Sequence, residues 1–264
     1  MIYDIRTSKS AQQTLETLTK VPANVWEQYL DREKEYEYID DLVADVIQSF
    51  GELPKDFKDF QFIYFHITTS ANRCKSFIEH GILDLQKSYM CKDSELRTFL
   101  DAHHIKIDLD NETLIHNDKV YSIHFGPCPK HNTTDYHCWS IGRKFYYDYT
   151  TCGFLSVWDR SPYGGYVHRR PEILMDIDNL LGLHLSQEWA TSHLPYQITA
   201  KVSGNNIVYC GDDDTSNEQK VISYLTQAYT TAFGYPHENI LLLKNGVQIP
   251  PKDILEVKPL DYWK

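Results

Sequence analysis

The sequence predicts an α+β fold, in which helical segments accompany short strands. Apolar residues between positions 9 and 50 recur at helical intervals. Between 105 and 123, short apolar runs are joined by polar turns at Asp110-Asn111-Glu112 and Asn117-Asp118, which is typical of an antiparallel meander. A chain of 264 residues is long enough to bury a core without disulfide support.

Residues 1–54 are expected to form a helical N-terminal extension. Leucines and valines recur at helical spacing on both sides of Pro22, which marks a break between helices. The stretch from Gly51 to Asp56 is punctuated by Gly and Pro, and the pattern changes there. The sequence therefore predicts a boundary at residue 54, with the main domain over 55–264.

The apolar run from Phe62 to Ile67 predicts a strand that ends in a histidine and hydroxyl side chains. Ser70 is a suitable N-cap, so a helix is expected to begin at once. Such a junction places His66 beside the unpaired N–H groups of a helix start, which suits an anionic or sugar-bearing ligand. The plain alternative is a strand–helix turn in which His66 bonds only to its local surroundings.

The later elements follow from periodicity and turn residues. A capping-box pattern at Ser216 and Gln219 predicts a helix to about Phe233. The other expected elements are a helix over 94–102, a loop over 126–140, extended chain over 145–158, a helix over 171–185, and strands over 196–202, 240–243 and 254–257.

The net charge of −11 argues against a protein that holds nucleic acid by general neutralisation of phosphates. No apolar run approaches the length of a membrane span, and the first residues, Met1 to Arg6, lack a signal-peptide core. The sequence therefore predicts a cytoplasmic protein without a membrane partner.

The six cysteines show no repeated spacing, and reduced thiols are expected in such a chain. Cys128, His131, His137 and Cys138 carry side chains that bind zinc and lie close together in the sequence. Their irregular spacing favours a loop that merely contains these residues, and a zinc site remains the alternative.

Two segments resemble the ADP-ribosyltransferase superfamily. The stretch Phe65-His66-Ile67-Thr68, followed by Asn72 and Gly81-Ile82-Leu83, is most similar to the first motif of bacterial DNA-modifying ADP-ribosyltransferase toxins. The stretch Glu238-Asn239-Ile240-Leu241-Leu242 is similar to the Glu-headed strand of the poly(ADP-ribose) polymerases. The segment from Cys152 to Val157, followed by Ser161-Pro162-Tyr163, resembles the middle motif of those polymerases. Leu155 stands where the polymerases have Tyr.

The resemblance implies split antiparallel sheets with flanking helices and an NAD-dependent mono-ADP-ribosyltransferase, of the kind found among bacterial toxins and defence effectors. NAD is the substrate that such an enzyme consumes. The resemblance assigns these roles: Glu238 as the catalytic carboxylate, His66 to a ribose hydroxyl, Thr68 and Asn72 to the adjoining backbone or amide, the Gly153 backbone to the nicotinamide amide, and Tyr163 (or Tyr149) to its ring.

Each role has a competing interpretation. The alternative for Glu238 is a loop carboxylate without a catalytic role. Glu172 is the second choice for the catalytic carboxylate. The departure at Leu155 favours an alternative in which a degenerate transferase-like fold binds a nucleotide or a protein without catalysis. For an enzyme, the acceptor stays open between a protein, a small molecule and single-stranded nucleic acid, which can dock by stacking.

Overall fold

The computed structural model describes residues 1–147, 150–159, 161–211, 214–234 and 237–260. The helices are α1 (Ser8–Thr19), α2 (Ala23–Tyr29), α3 (Ile39–Phe50), α4 (Lys75–His80), α5 (Leu85–Met90), α6 (Glu95–Ala102), α7 (Thr134–Tyr146), α8 (Tyr163–Tyr166), α9 (Glu172–Leu181), α10 (Leu185–Ser192) and α11 (Asn217–Phe233). The strands are β1 (Ile2–Asp4), β2 (Gln61–Ser70), β3 (Ile105–Asp108), β4 (Thr113–His116), β5 (Lys119–Ser122), β6 (Cys152–Ser156), β7 (Leu194–Ser203), β8 (Ile207–Val208), β9 (Asn239–Leu243) and β10 (Ile254–Pro259).

The strands form two sheets. One has seven strands in the order β10-β7-β2-β6-β9-β8, with β1 paired in parallel to β2. Strand β6 is antiparallel to both of its neighbours, β2 and β9. The second sheet is the antiparallel meander β3-β4-β5 that the polar turns predict. The expected α+β class is therefore confirmed.

The chain divides into two compact units. The first contains Met1–His66, Cys152–Ser161 and Thr199–Lys244, and the second contains the intervening segments and Asn245–Lys264. Residues 1–54, expected to form a helical N-terminal extension, belong to the first unit together with segments from the middle and end of the chain.

Aromatic residues build the core of the first unit. Tyr3 on β1 is fully buried, and its hydroxyl donates to the carbonyl oxygen of Tyr224 on α11 at 2.8 Å. The Tyr3 ring also contacts Phe62 on β2 at a centroid distance of 4.8 Å. Helices α1 and α3 pack against α11 as well. The N-terminal segment is therefore part of this core.

The second unit is built around helices α7, α9 and α10. Its buried cluster includes Ile141, Phe145, Leu174 and Trp189. The indole Nε1 of Trp189 donates to Thr69 Oγ1 at 2.8 Å, so this large buried side chain also has its polar atom satisfied.

The junction after His66 differs from the prediction. Strand β2 continues to Ser70, whose hydroxyl accepts from the backbone N–H groups of Asn72 and Cys74. These bonds form a local turn, in which Arg73 and Cys74 adopt positive φ angles. Helix α4 begins only at Lys75, and Ser70 is not its N-cap.

The segment over 134–146 is also different. It was expected to be part of a loop followed by extended chain, but it forms helix α7. Thr133 Oγ1 accepts from the backbone N–H of Tyr136 and caps this helix, while Cys138, Ile141 and Phe145 are buried along one face. The helix is therefore specified by a cap and a helical apolar spacing.

The other expected helices and strands are present. Ser94 caps α6, and Ser216 with Gln219 forms the predicted capping box of α11. Within the described ranges, no helix combines the length and the apolar character that crossing a bilayer requires.

Gly81→Ala is expected to lower the free energy of unfolding by roughly 3 kcal/mol or more. Gly81 ends α4 with φ 84° and ψ −167°, and an added Cβ would lie 1.9 Å from the carbonyl oxygen of Ile249. That carbonyl accepts from the N–H of Ile82 at 2.9 Å, so it cannot withdraw without losing a bond. Urea denaturation measures the loss.

The matched control is Gly182→Ala. Gly182 also has a positive φ angle, but an added Cβ there would meet no atom within 4 Å. Its cost should stay near that of the left-handed backbone alone, about 1–2 kcal/mol. Equal losses for the two variants would contradict the close approach at Gly81.

Candidate active site

The predicted site residues of the first unit lie on or next to three strands that are neighbours in the large sheet. His66 lies on β2, Gly153 on β6, and Glu238 immediately before β9. Phe65, which precedes His66, pairs with Phe154, and Gly153 pairs with Leu241. With usual strand spacing, the α-carbons of His66 and Glu238 are about 10 Å apart across the sheet and about 10 Å apart along it.

Gly153 lets β6 approach β2 closely. A Cβ at this position would lie 2.5 Å from Cδ2 of Tyr64 and 2.7 Å from the carbonyl oxygen of Phe65. Both distances are too short for a real contact, so only glycine fits beneath the Tyr64 ring. The resemblance implies that the Gly153 backbone binds nicotinamide, which stays a prediction; the close packing requires glycine here in any case.

The carboxylate of Glu238 is oriented by a serine. The hydroxyl of Ser161 donates to Glu238 Oε2 at 2.5 Å. Ser161 is 1% exposed, whereas Glu238 is half-buried. A buried donor thus fixes one oxygen of a carboxylate that still reaches solvent.

Ser156 fixes the backbone on both sides of Glu238. This fully buried serine donates its hydroxyl to the carbonyl oxygen of His237 at 2.9 Å. It also accepts from the Asn239 side-chain amide at 2.7 Å. The residues before and after Glu238 are therefore tied to the same side chain of β6, next to a bulge between Phe154 and Ser156.

The environment of His66 fixes its tautomer. Its Nδ1 lies 2.9 Å from the carbonyl oxygen of Cys152, and because a carbonyl only accepts, Nδ1 carries the proton. Burial lowers the pKa of the His66 imidazole, and the bond to Cys152 opposes that shift only in part. The ring is therefore neutral at pH 7, with Nε2 as a hydrogen-bond acceptor.

The remaining predicted ligands of NAD lie in the second unit. Thr68 is half-buried on β2, and the Asn72 side-chain oxygen accepts from Ser70 Oγ and from the backbone N–H of Lys75. The Asn72 oxygen thus has a local role at the start of α4. Tyr163 is 6% exposed, and its ring packs against His168 at 5.7 Å. Tyr149, the alternative aromatic, lies outside the described residues.

Glu172, the second choice for catalysis, is engaged in a different contact. Its Oε2 lies 2.5 Å from the ammonium of Lys144, and its other oxygen occupies the space next to Gly165. This ion pair joins α7 to the first turn of α9. Glu172 thus has a structural partner in the second unit, and Glu238 remains the better candidate.

The four residues of the possible zinc loop do not form a metal-binding group. Cys128 is exposed before α7 and His131 lies in the following turn, whereas His137 and Cys138 lie within the helix. Among the described residues, the side chains of this kind that do converge are those of His80, Cys91 and Asp93.

The sequence reasoning missed the roles of Ser156 and Ser161. Both lie in or just after the middle motif, and Ser161 is the serine of Ser161-Pro162-Tyr163. The signal was therefore present in the motif, but its partner is 77 residues away in the chain and becomes visible only in the fold.

Comparisons of the chain with protein-family models, with curated proteins and with solved structures give no match. The functional assignment therefore depends on the geometry of the site and on the motifs that the sequence carries.

Ser156→Ala is expected to lower the free energy of unfolding by roughly 1–3 kcal/mol, because it removes both hydrogen bonds of a fully buried hydroxyl, to the His237 carbonyl and the Asn239 amide. Amide hydrogen exchange at residues 239–241 should accelerate as well. Ser8→Ala, at an exposed serine of α1, is the control and should change stability by less than about 0.5 kcal/mol. Unchanged exchange near Glu238 would contradict the proposed bracing.

Proposed function

We propose that this chain is an NAD-dependent mono-ADP-ribosyltransferase, with Glu238 as its catalytic carboxylate. One observation carries the proposal. The first, middle and last motifs lie on the adjacent strands β2, β6 and β9, and the Glu238 carboxylate is held by Ser161. Strands from residues 61–70 and 239–243 thus flank a common neighbour, as a shared ligand would require.

The reaction breaks the bond between the nicotinamide nitrogen and the ribose carbon, and nicotinamide leaves with the electron pair. The sugar passes through an oxocarbenium-like centre, which a fixed anion stabilises. Glu238 supplies that anion and orients the acceptor. The acceptor then forms a bond to the ribose carbon and loses a proton. Because Ser161 already holds the carboxylate, little reorganisation is needed at that moment.

His66 has the properties of a ribose-binding residue. A neutral imidazole whose Nδ1 donates to a backbone carbonyl has an Nε2 that acts only as an acceptor, which is the role that a hydroxyl donor requires. A vicinal diol of ribose supplies such donors. The bond to Cys152 also anchors the ring to β6, so its orientation is set before a ligand binds.

Leu155 favours a second candidate, a non-catalytic nucleotide- or protein-binding module. It is 1% exposed and aliphatic at the position where the family pattern has a tyrosine. A buried leucine supplies no ring for stacking on nicotinamide. Binding of NAD without release of nicotinamide would favour this candidate.

The acceptor is proposed to be a protein, a small molecule or single-stranded nucleic acid. The net charge of −11 disfavours duplex DNA held through its phosphates.

Glu238→Gln is expected to lower the rate of nicotinamide release from NAD by about 10²–10³-fold, because the amide keeps the shape and the Ser161 contact but loses the charge. The assay follows free nicotinamide with cell extract as the source of acceptor. Glu172→Gln is the matched control, since it removes a half-exposed carboxylate of the second unit, and it should keep the rate within about threefold.

Two results would contradict the catalytic role of Glu238: equal rates for Glu238→Gln and the wild type, or loss of activity only in Glu172→Gln. If neither the wild type nor Glu238→Gln releases nicotinamide, but calorimetry shows that the wild type binds NAD, the non-catalytic binding module would be the correct assignment.

His66→Ala is expected to weaken NAD binding by about tenfold, the equivalent of one hydrogen bond, with little change in melting temperature. The wild-type affinity should fall as the pH drops below the ordinary histidine pKa of about 6.5, since a proton on Nε2 removes the acceptor. The lowered pKa of His66 moves this loss further into the acidic range. Calorimetric titration over pH 5–8 measures both effects.

The variant itself serves as the control for pH, because its affinity should lack the acidic decline that His66 causes. A large loss of stability with unchanged NAD binding would instead make His66 a core residue.

A further inference from the structure

A histidine, a cysteine and an aspartate converge in the second unit. His80 is the last residue of α4, Cys91 follows α5, and Asp93 lies just before α6. Their ligand atoms all lie within 4.8 Å of one another. This set of nitrogen, sulfur and oxygen donors is one that zinc uses in proteins.

The spacing of two donors fits a tetrahedral ion. His80 Nε2 and Asp93 Oδ1 are 3.1 Å apart. Two ligands at zinc bond lengths of 2.0–2.2 Å in a tetrahedral arrangement are separated by about 3.3 Å. An ion can thus replace the proton between these atoms with little movement of either side chain.

The second carboxylate oxygen of Asp93 is a further observation that supports an ion at this position. Oδ2 is inaccessible to solvent and has no hydrogen-bond partner among the described residues. A buried carboxylate oxygen without a donor is costly, and a cation within reach would remove that cost. The hydrogen bond to His80 satisfies only Oδ1.

We propose that His80, Cys91 and Asp93 bind one zinc ion, with water as the fourth ligand. Nothing in this site depends on NAD, and it is independent of the function proposed above. Binding releases the thiol proton of Cys91 to solvent, and His80 coordinates through Nε2 as a neutral imidazole that carries its proton on Nδ1. The ion joins the end of α4 to the segment that leads into α6.

The position of the site gives the metal a structural consequence. Glu95, two residues after Asp93, accepts from the backbone N–H groups of Ala71 and Asn72 through Oε1. Helix α4 starts directly after that turn. The metal would close a loop from the turn through α4 and back to Glu95, and would hold the turn in place.

Titration of the metal-free, full-length protein with Co²⁺ tests the proposal. One equivalent should bind, with the visible bands of a four-coordinate ion and a thiolate-to-cobalt charge-transfer band in the near ultraviolet. Zn²⁺ should displace the cobalt. Cys91→Ser should abolish the charge-transfer band, and His80→Ala should weaken binding by more than about tenfold, since even outer-shell partners contribute 10–100-fold.

Cys128→Ser is the matched control, because it removes an exposed thiol of the same unit and should leave the spectrum unchanged. Zn²⁺ should also raise the melting temperature of the wild type and not that of Cys91→Ser. The proposal is overturned if the wild type shows no charge-transfer band, or if the band survives both Cys91→Ser and His80→Ala. Loss of the band in Cys128→Ser alone would assign the metal to the other cysteine-histidine segment.

Discussion

Strand β6 lies between β2 and β9 only because residue 153 has no side chain. The Tyr64 ring and the Phe65 carbonyl fill the space that a Cβ would need. Any larger residue would separate β6 from β2 and shift the pairing with β9. The relative positions of His66 and Glu238 therefore depend on this one contact, because β6 pairs with β2 on one side and with β9 on the other.

The environment of Glu238 combines rigidity with access. Ser156 holds the chain before and after it, and Ser161 holds its carboxylate, while the side chain itself stays half-buried. Hydrogen bonds made before a ligand arrives reduce the reorganisation that catalysis requires. The same bonds keep both serines in place, because moving either one would leave its own buried hydroxyl without a partner.

Much of the fold was predictable, because local patterns specify it. The turns at Asp110-Asn111-Glu112 and Asn117-Asp118 gave the meander, and Ser216 with Gln219 gave the start of α11. The failures were local as well. Ser70 has the chemistry of an N-cap, but its hydroxyl serves a tight turn, and the competition between these two uses is decided by backbone angles that composition does not encode.

The sequence names candidate site residues one by one, but it does not give their contacts. The roles of His66 and Glu238 stay predictions from their motifs, whereas the bond from Ser161 to Glu238 joins positions 77 apart and is seen only in the fold. The group formed by His80, Cys91 and Asp93 was not predicted from the sequence, because no metal-binding motif joins these residues and they converge only in the fold.

The burial of Tyr3 against α11 bears on how this chain can be regulated. When an inhibitory pro-segment is removed to activate a protein, the rest of that protein must stay folded. Removal of residues 1–54 would take away strand β1, which pairs with β2, and would uncover the apolar face of α11 that α1 and α3 cover. Residues 1–54 therefore differ from a removable pro-segment, because their loss is expected to destabilise the first unit to which they belong.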